Sequence, residues 1–416
     1  MDQTRTTLPP TTLNGLKPPL TARLVLGMLE RLQVGQLRLV APEGEFFFQG
    51  EKRAGLGAAC LRIHDWSVFE RAIKRGDIGF GEAFMEGRWS SPDLACLLKT
   101  LAANRQVIEK AILGNRWLLL LDRLGHLFRR NTIRQAKRNI EAHYDLGNDF
   151  YRIWLDTTMT YSSALYTEAE LLGQEPSDLK AAQYRKMDRV LEMLGPLDED
   201  SQTLEIGCGW GGLAQRRLAQ MPGAHLGVTL STEQQAWAID KLTQAGFSGR
   251  AEIRLQDYRV CEGQFDGIVS IEMIEAVGES YWPTYFETLH RCLKPGKRAV
   301  IQAILIRDDL FDRYRSGHDF IQKYIFPGGM LLSTNAVREA SHAAGLVVQD
   351  EFYFGHHYGK TLHDWLETFN QHEQEIRALG YDDRFLAMWR FYLAYCEAGF
   401  FSGDLEVVQV CLQRPA

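Results

Sequence analysis

The clearest pattern in the chain is an alternation of short apolar stretches with longer helical patterns between residues 203 and 305. Leu204 and Ile206 flank Glu205 with the period of two that is typical of a strand. Further strands are predicted at 225–230, 251–257, 265–271 and 298–305, with helices at 213–220, 231–244 and 281–293. Strands that alternate with helices predict an α/β fold with a doubly wound parallel sheet.

Four glycines, Gly207, Gly209, Gly211 and Gly212, follow the first predicted strand and precede a helix. Glycine lets the backbone turn tightly and approach a ligand closely, because it has no Cβ. The next helix offers its N-terminal amides to whatever lies in the turn. Dinucleotide-binding folds use the same device, but their usual spacing differs, and here the acidic residue Glu205 precedes the first glycine.

The ends of the predicted strands indicate where a ligand lies. In a doubly wound sheet the ligand sits beyond the carboxyl ends of the strands, where the strand order reverses. The segments at that edge are Gly207–Gly211, Thr229–Gln234, Asp257–Tyr258 and Glu272–Glu275. Asp257 is suited to accept from the amine of an adenine, and Tyr258 is suited to stack on its ring. This layout is that of a Rossmann-like class I methyltransferase that uses S-adenosylmethionine.

The residues before this region predict a tail and a smaller α+β domain. Residues 1–19 are rich in Thr and Pro and lack an apolar core, so we expect a disordered tail. The smaller domain is predicted to contain a helix at 21–34 and strands at 35–40 and 61–64. Residues 72–89 are dense in glycine, aromatic and acidic residues, and are interpreted as a turn-rich packing motif rather than a catalytic segment.

Charge and cysteine content limit the function classes. The chain of 416 residues has a formal net charge of −6, which argues against nucleic-acid binding. Seven scattered cysteines form neither a disulfide framework nor a zinc pattern. We therefore expect no metal site, and we expect the protein to reside in a reducing compartment. No apolar run reaches the ~18 residues that a spanning helix needs. We expect a cytoplasmic protein that is peripheral at the membrane.

Residues 117–138 join apolar bulk to a run of cations in a protein that is acidic overall. One interpretation is a helix lying in an anionic lipid interface with its apolar side down. The other is an interdomain helix with a solvated basic end, and the pattern does not separate the two.

Two further segments are dense in aromatic residues, 141–166 and 320–329. The first mixes polar and aromatic residues, which favours a lid over a pocket more than a core helix. Near the C-terminus, predicted strands at 346–354 and 405–412 bracket helices at 361–379 and 384–400, which suggests an antiparallel pair that closes the sheet.

Several motifs together resemble the cyclopropane-fatty-acyl-phospholipid synthases and the mycolic acid cyclopropane synthases. They are His-Tyr-Asp-Leu-Gly-Asn-Asp-Phe-Tyr at 143–151, Met-Thr-Tyr-Ser at 159–162, Glu-Ile-Gly-Cys-Gly-Trp-Gly-Gly at 205–212, Gly-Val-Thr-Leu-Ser at 227–231 and Lys-Tyr-Ile-Phe-Pro-Gly-Gly at 323–329. Residues 76–98 are also similar to the N-terminal domain of the phospholipid-acting branch. The resemblance implies a lipid-associated domain at 20–115, a basic amphipathic linker at 116–140 and a methyltransferase domain at 141–416.

By this resemblance, one group of residues binds S-adenosylmethionine: Tyr161, Ser162, Glu205, Gly207, Gly209, Gly211, Thr229 and Gln234, with Asp257 and Tyr258 near the adenine. In the family's reaction a cis double bond takes the methyl group, and the resulting cation loses a proton as the ring closes. Aromatic faces stabilise such a cation by cation–π attraction. Tyr161, Tyr166, Phe320 and Tyr324 are the expected pocket residues.

The place of the catalytic base departs from the family pattern. Relatives hold a bicarbonate ion there with cysteine, glutamate, histidine and tyrosine side chains. The matching positions here are Ser163, Glu275, Gln302 and Tyr358, with Ile304 contributing its backbone, so a bicarbonate site is altered but not excluded. Glu272 stands where relatives have glycine. We hypothesise that its carboxylate replaces the ion; the alternative is that it only hydrogen-bonds a backbone turn.

The sequence therefore predicts a C-methyltransferase acting on unsaturated phospholipid acyl chains at the membrane face, most simply a cyclopropane synthase. A hydride shift in the cation would instead give a methyl-branched or methylene chain. Two competing interpretations are a small-molecule N-methyltransferase and a lipid-binding protein with a degenerate site. A homodimer is left open.

If residues 117–138 dock on anionic lipid, replacing Arg129, Arg130 and Arg134 together by Gln weakens binding to vesicles. Each charge near the surface contributes about 1 kcal/mol, and added salt shrinks the difference because it screens the field. Vesicle sedimentation at low and high salt measures this. Unchanged binding at low salt would leave the interdomain helix as the interpretation.

Overall fold

The structure, a computed structural model, describes residues 18–108 and 146–416. Most of the predicted tail, the linker at 116–140 and the motif residues 143–145 lie outside these ranges. The helices of the described residues are α1 (Leu20–Leu29), α2 (Ser67–Met85), α3 (Leu94–Ala103), α4 (Asn148–Trp154), α5 (Glu168–Leu171), α6 (Leu179–Leu194), α7 (Gly212–Gln220), α8 (Thr232–Gln244), α9 (Trp282–Cys292), α10 (Asp308–Arg315), α11 (Phe320–Tyr324), α12 (Thr334–Ala343), α13 (Gly355–Gln371), α14 (Glu373–Ala378) and α15 (Asp383–Ser402). The strands are β1 (Gln36–Ala41), β2 (Gly44–Gln49), β3 (Ala58–Ile63), β4 (Trp89–Ser90), β5 (Gln202–Ile206), β6 (Ala224–Thr229), β7 (Ala251–Leu255), β8 (Phe265–Ile271), β9 (Leu293–Ile306), β10 (Val347–Tyr353) and β11 (Leu405–Gln413).

The larger of two compact units comprises residues 146–380 and 403–416 and contains a seven-stranded sheet. Its strand order is β10-β11-β9-β8-β5-β6-β7. The strands from β5 to β9 pair in parallel, and β11 pairs antiparallel with both β9 and β10. The chain runs from β5 out to β7 and then returns to β8, so the order reverses between β5 and β8. The predicted doubly wound sheet and its closing antiparallel pair are confirmed.

Helices cover both faces of this sheet because its strands are apolar at successive positions. In β8 and β9, Ile268 and Ile301 belong to the cluster that includes the apolar residues of α9. Their neighbours Val269 and Val300 point the other way and pack with residues of α6. A strand with both faces buried reads as a continuous apolar run, which is the pattern at 265–271.

The smaller unit comprises residues 18–108 and Tyr381–Ser402. Its four-stranded sheet has the order β2-β1-β3-β4, in which β1 pairs antiparallel with β2 and parallel with β3. β2 was not predicted, and α15 belongs to this unit although its residues were predicted to be part of the methyltransferase domain. None of the helices described above has both the length and the apolar character that a membrane-spanning segment requires.

The interpretation of residues 72–89 as a turn-rich motif is wrong for most of that segment. It forms the second part of α2, interrupted at Arg75 and Gly76, where Gly76 has a φ of 57°. Beyond the interruption the aromatic residues serve packing: Phe80 stacks on Trp89 with ring centroids 4.2 Å apart.

The expectation of a lid rather than a core helix near residue 150 is also wrong for the described part. Phe150, Tyr151 and Trp154 of α4 are at most 1% exposed. Their rings pack on α13. The ring centroids of Phe150 and Phe369 are 6.3 Å apart, and those of Trp154 and Trp365 are 5.5 Å apart. The polar residues of this helix face outward, so its mixed composition reflects an amphipathic helix with an aromatic buried face.

Candidate active site

The glycine turn follows β5, which lies at the point where the strand order reverses. Gly207 has a φ of 80°, and a Cβ built on it would lie 2.7 Å from the side chain of Met273. The amides of Gly207 and Cys208 both donate to the carbonyl of Val228, at 2.9 and 3.1 Å, which holds the turn against β6. Gly209 and Gly211 also have positive φ, and a Cβ on Gly209 would meet nothing within 4 Å. The turn therefore borders open space at the N-terminus of α7, which fits an extended nucleoside ligand.

The end of β6 and the segment after it hold two of the predicted cofactor contacts, Thr229 and Gln234, in a closed local arrangement. The Thr229 hydroxyl donates to the Gln234 side-chain oxygen at 2.8 Å, and both residues are buried. The Ser231 hydroxyl accepts from the Gln234 amide at 3.3 Å and so caps α8. With its oxygen bound by Thr229, the Gln234 side chain presents its amide group as a donor.

The two residues proposed for the adenine are both buried, but Asp257 already has a strong partner. Its carboxylate accepts from the Arg259 guanidinium at 2.8 and 2.6 Å and from the Arg259 amide at 3.0 Å. An adenine amine would have to share these oxygens. The Tyr258 hydroxyl is buried without a hydrogen-bond partner among the described residues. Its ring packs edge-on against Tyr285 at 5.6 Å.

Glu205 lies inside the sheet in a contact that the sequence did not predict. Its carboxylate is 3.0 Å from His225 Nε2, and His225 Nδ1 is 2.9 Å from the Thr203 hydroxyl. Burial raises the pKa of Glu205, and the hydrogen bond to His225 opposes that effect. The structure thus gives Glu205 a partner on β6, and its contact with the cofactor stays a prediction.

Glu272 follows β8 directly, next to the glycine turn. One carboxylate oxygen accepts from the Ser163 amide at 2.9 Å and from the Gln302 side chain at 2.7 Å. The Tyr358 hydroxyl donates a further hydrogen bond to this carboxylate. Glu272 is itself half-buried, so part of its side chain remains within reach of a ligand. Four of the five predicted catalytic residues are therefore brought into direct contact, although Ser163 contributes its backbone amide while its hydroxyl donates to the Ala164 carbonyl.

The backbone of Glu272 has a φ of 48°, in the left-handed region that favours glycine. A residue with a Cβ adopts this conformation at a cost of about 1–2 kcal/mol. Its amide donates to the Gln302 carbonyl at 2.8 Å, which helps to hold the conformation. Strain of this kind persists where surrounding contacts impose it, and it is concentrated at functional sites.

Glu275, the fifth predicted residue, lies in the turn after Glu272 and is held differently. One carboxylate oxygen accepts from the Ile304 amide at 2.5 Å, and the other is buried without a partner among the described residues. Burial, and secondly the charge of Glu272, raise the pKa of Glu275 to about 8. At neutral pH Glu275 is therefore mainly protonated, whereas the hydrogen bonds to Glu272 lower the pKa of that carboxyl against the effect of its burial.

The predicted pocket residues fall into three groups. The ring centroid of Tyr161 lies 5.4 Å from those of both Trp154 and Trp365. The ring centroids of Trp365 and Tyr358 are 6.0 Å apart. This aromatic group therefore borders the carboxylate site. Tyr166 is held by its hydroxyl, 2.9 Å from Asp364. Phe320 and Tyr324 contact each other with ring centroids 5.0 Å apart.

Sequence reasoning missed Lys186 and Gln409. Lys186 is 1% exposed, and its ammonium donates to the Ser162 hydroxyl at 2.6 Å. Gln409 is buried on β11 and donates to the Gln302 side-chain oxygen at 3.0 Å. Lys186 follows Ala182 and precedes Val190 by one helical turn each, so it occupies the apolar stripe of α6. A lysine in such a stripe was the available signal.

Comparison with known proteins gives consistent matches. The family model described as mycolic acid cyclopropane synthetase matches residues 131–410. The tuberculostearic acid methyltransferase UfaA1 of Mycobacterium tuberculosis is 43% identical over 385 residues, covering 91% of this chain and 88% of that protein. The cyclopropane-fatty-acyl-phospholipid synthase of Escherichia coli is 33% identical over 361 residues, covering 86% of this chain and 89% of that protein.

Two solved structures share the fold. The cyclopropane synthase MmaA2 from Mycobacterium tuberculosis superposes with a TM-score of 0.61 at 29% identity, covering 66% of this chain and 97% of that chain. The mycolic acid cyclopropane synthase CmaA1, complexed with SAH and CTAB, gives a TM-score of 0.61 at 28% identity, covering 67% and 98%.

Replacing Gly207 by Val is expected to abolish binding of S-adenosylmethionine. The added side chain would collide with Met273 and force a β-branched residue into a left-handed backbone. Titration calorimetry on the folded variant measures the effect. Gly246→Val is the matched control, because Gly246 has a φ of 81° but a Cβ there meets nothing within 4 Å. Unchanged affinity in Gly207→Val would mean that the turn is only structural.

The protonation of Glu275 predicts an unusual pH dependence of stability. A carboxyl whose pKa rises from 4.5 in the unfolded chain to about 8 in the fold binds more protons when folded, so stability falls as pH rises through this window. Glu275→Gln removes that loss. We expect the variant to gain roughly 1–3 kcal/mol over the wild type between pH 5 and 8.

Chemical denaturation across this pH range measures the difference. Exposed Glu279→Gln serves as the control, because its carboxylate is 40% exposed. A constant offset between Glu275→Gln and the wild type at all pH values would contradict a protonated Glu275.

Proposed function

This chain belongs to the mycolic acid cyclopropane synthetase family, as its motifs indicated, and on that premise we propose that it methylates the cis double bond of an unsaturated phospholipid acyl chain. Like its relatives it is an S-adenosylmethionine-dependent methyltransferase that modifies fatty acyl groups. The proposal adds the phospholipid substrate and the catalytic base, Glu272. The observation that carries it is the Glu272 carboxylate, held by three hydrogen-bond donors beside the glycine turn.

Bound S-adenosylmethionine supplies an electrophilic methyl group. Addition of that group to one carbon of the double bond leaves a positive charge on the acyl chain. The chain must then lose a proton, and the acceptor must lie close to the charge in a site from which water is excluded. Glu272 fits this role because its hydrogen-bond donors favour the ionised carboxylate, while burial raises the pKa of the neighbouring Glu275 to about 8.

The contacts of Glu272 also argue against a free bicarbonate ion as the base. The donors of the family's anion site here are the Ser163 amide, the Gln302 side chain and the Tyr358 hydroxyl, and all three are directed at Glu272. The Ile304 amide, which would complete such a site, is bound by Glu275. A carboxylate that is part of the chain needs no binding step, so it loses no translational entropy when it acts.

The aromatic group around Tyr161 supports the handling of a cation. The rings of Tyr161, Trp154 and Trp365 pack edge-on or tilted against one another near Tyr358, which itself donates to Glu272. A desolvated cation near such faces gains about 2 kcal/mol for a well-placed ring. The same rings exclude water, which would otherwise trap the cation as an alcohol.

Two products are consistent with one base. If the proton leaves the added methyl group while the cation stays on the adjacent carbon, a cyclopropane ring closes. If a hydride first shifts from the methylated carbon to the adjacent cationic carbon, loss of a proton from the added methyl group gives a methylene branch. We favour the methylene branch, because the relative that is 43% identical is named a tuberculostearic acid methyltransferase and not a cyclopropane synthase. The cyclopropane is the second candidate, favoured by the relative that is 33% identical.

The substrate places the enzyme at a membrane face, and peripheral contact is part of the proposal. The basic segment 116–140 that would make this contact lies outside the described residues. The net charge of −6 gives no general attraction to anionic lipid, so a local basic segment is needed.

Glu272→Gln is expected to lower product formation at least ~100-fold, the usual contribution of a general base, with S-adenosylmethionine binding nearly unchanged. Glu272→Gly relieves the left-handed strain and reopens the volume of the carboxylate, so added bicarbonate should restore part of the activity. Mass spectrometry of phospholipids measures a gain of 14 mass units on unsaturated chains, from one methyl added and one proton lost, roughly the mass of CH₂. NMR then separates methylene from cyclopropyl protons.

The assay is run in carbonate-depleted buffer, with and without added bicarbonate. A wild-type enzyme that is inactive there and recovers with bicarbonate would show that the free ion is the base. No modified lipid under any condition would reject the phospholipid substrate.

A further inference from the structure

Lys186 is a buried cation that the reaction described above does not use. It lies on the inner face of α6 and is 1% exposed. Burying an ammonium group is costly unless it is paired or performs a task. Its hydrogen bond to the neutral Ser162 hydroxyl, at 2.6 Å, does not balance its charge.

The contacts of Lys186 lead to Glu272 by two routes. Its ammonium is bonded to Ser162, and the amide of the next residue, Ser163, donates to the Glu272 carboxylate. Its backbone carbonyl accepts from Gln409 Nε2 at 3.3 Å. The same Gln409 nitrogen donates to the Gln302 oxygen, which turns the Gln302 amide group toward Glu272.

The charged groups around Lys186 point to the same partner. Burial lowers the pKa of Lys186 to about 8, and the charges that oppose this are Glu272 first, then Asp156 and Glu205. Asp156 is engaged with the amide and hydroxyl of Thr158, both at 2.8 Å. Glu205 has His225 as its own partner.

The groups that influence the pKa of Glu272 also identify Lys186 as the charge partner of this carboxyl. Burial raises the pKa of Glu272, and Lys186 on α6 is the strongest opposing influence, ahead of Ser163, Gln302 and Tyr358. Glu275, in the same turn, adds little negative charge while it is protonated. Among these groups Lys186 is the cation that faces the carboxylate.

We propose that Lys186 is a positioning residue that keeps Glu272 ionised in the resting enzyme, and so makes it competent to take the proton. This role rests on the proposed function of Glu272 as the base. Lys186 acts through its charge on Glu272 and through the Ser162 and Gln409 contacts that fix the neighbouring donors.

The test compares Lys186→Met with Lys241→Met. Met preserves the length and apolar stem of lysine without the charge. Lys241 is a matched control, because burial also lowers its pKa to about 8, while its ammonium donates to the Thr158 carbonyl at 2.6 Å and Glu272 is not among its charge partners.

The first readout needs neither cofactor nor lipid. Protein labelled with carbon-13 at the glutamate carboxyls is titrated by NMR, and the signal of Glu272 is identified by its absence in Glu272→Gln. An opposite charge close to a carboxyl lowers its pKa by roughly 1–3 units. We therefore expect the Glu272 midpoint to move to higher pH in Lys186→Met and to stay in place in Lys241→Met. An unmoved midpoint in Lys186→Met would overturn the proposal.

The second readout is the pH profile of product formation. Lys186→Met should shift the acid limb to higher pH and lower the rate at pH 7 by roughly tenfold, the factor that one pKa unit represents. Lys186→Arg keeps the charge and should restore the limb in part. If Lys186 were only structural, thermal stability would change and the limb would not, which would also overturn the proposal.

The two readouts separate this inference from the proposed function. A moved NMR midpoint with no lipid product in the wild type would support the ionisation of Glu272 by Lys186 and reject the substrate. If Lys186→Met does not fold, Lys186→Gln takes its place in the titration: a midpoint shifted upward supports the proposal, and an unmoved midpoint overturns it.

Discussion

The proposed role of the site requires one carboxylate, that of Glu272, to be charged where little water can solvate it. Removing water from a carboxylate favours its protonated form, and every contact of Glu272 opposes that tendency. The opposing groups come from the segment after α4, from β9, from α13 and from α6. These elements are distant in sequence, so the donors surround the Glu272 carboxylate only when the whole larger unit is folded. The site is in that sense a property of the fold and not of a local motif.

The strand order explains why Glu272, the proposed base, lies beside the glycine turn. β5 and β8 are neighbours at the reversal point, so the residues that follow them share one edge of the sheet. Met273, directly after Glu272, packs so closely on Gly207 that a Cβ there would lie within 2.7 Å of it. Among the described residues the two non-glycine positions with positive φ are Glu272 and Met159, and both lie in segments of the proposed site. The strain is thus located where the backbone must bring two ligand-facing segments together.

Much of the fold could be predicted, because strand and helix periods are local properties of the sequence. The run at 265–271 and the glycine turn predicted both the sheet and its ligand edge. The same local reasoning failed for α4, where the polar residues were visible but the burial of Phe150 and Trp154 was not. It also failed for Ser163, which contributes its backbone amide, because the side-chain type does not indicate such a contact. Lys186 was missed because a helical pattern records which face is buried and not which distant carboxylate that face will meet.

The two carboxyls of the site divide their roles through their surroundings. Glu275 has one backbone donor and an oxygen without a partner among the described residues, so it retains its proton. Glu272 has several donors and a nearby cation, and these favour its charged form. If both were ionised, their repulsion would raise the energy of the folded state. With Glu275 neutral, an ionised Glu272 and Lys186 would together have no net charge. In the proposed reaction, a cation on the acyl chain would then approach a carboxylate whose countercharge is bonded to Ser162. Transfer of one proton from the acyl chain to Glu272 would neutralise the acyl cation and the carboxylate together, and the charge of Lys186 would favour later release of that proton.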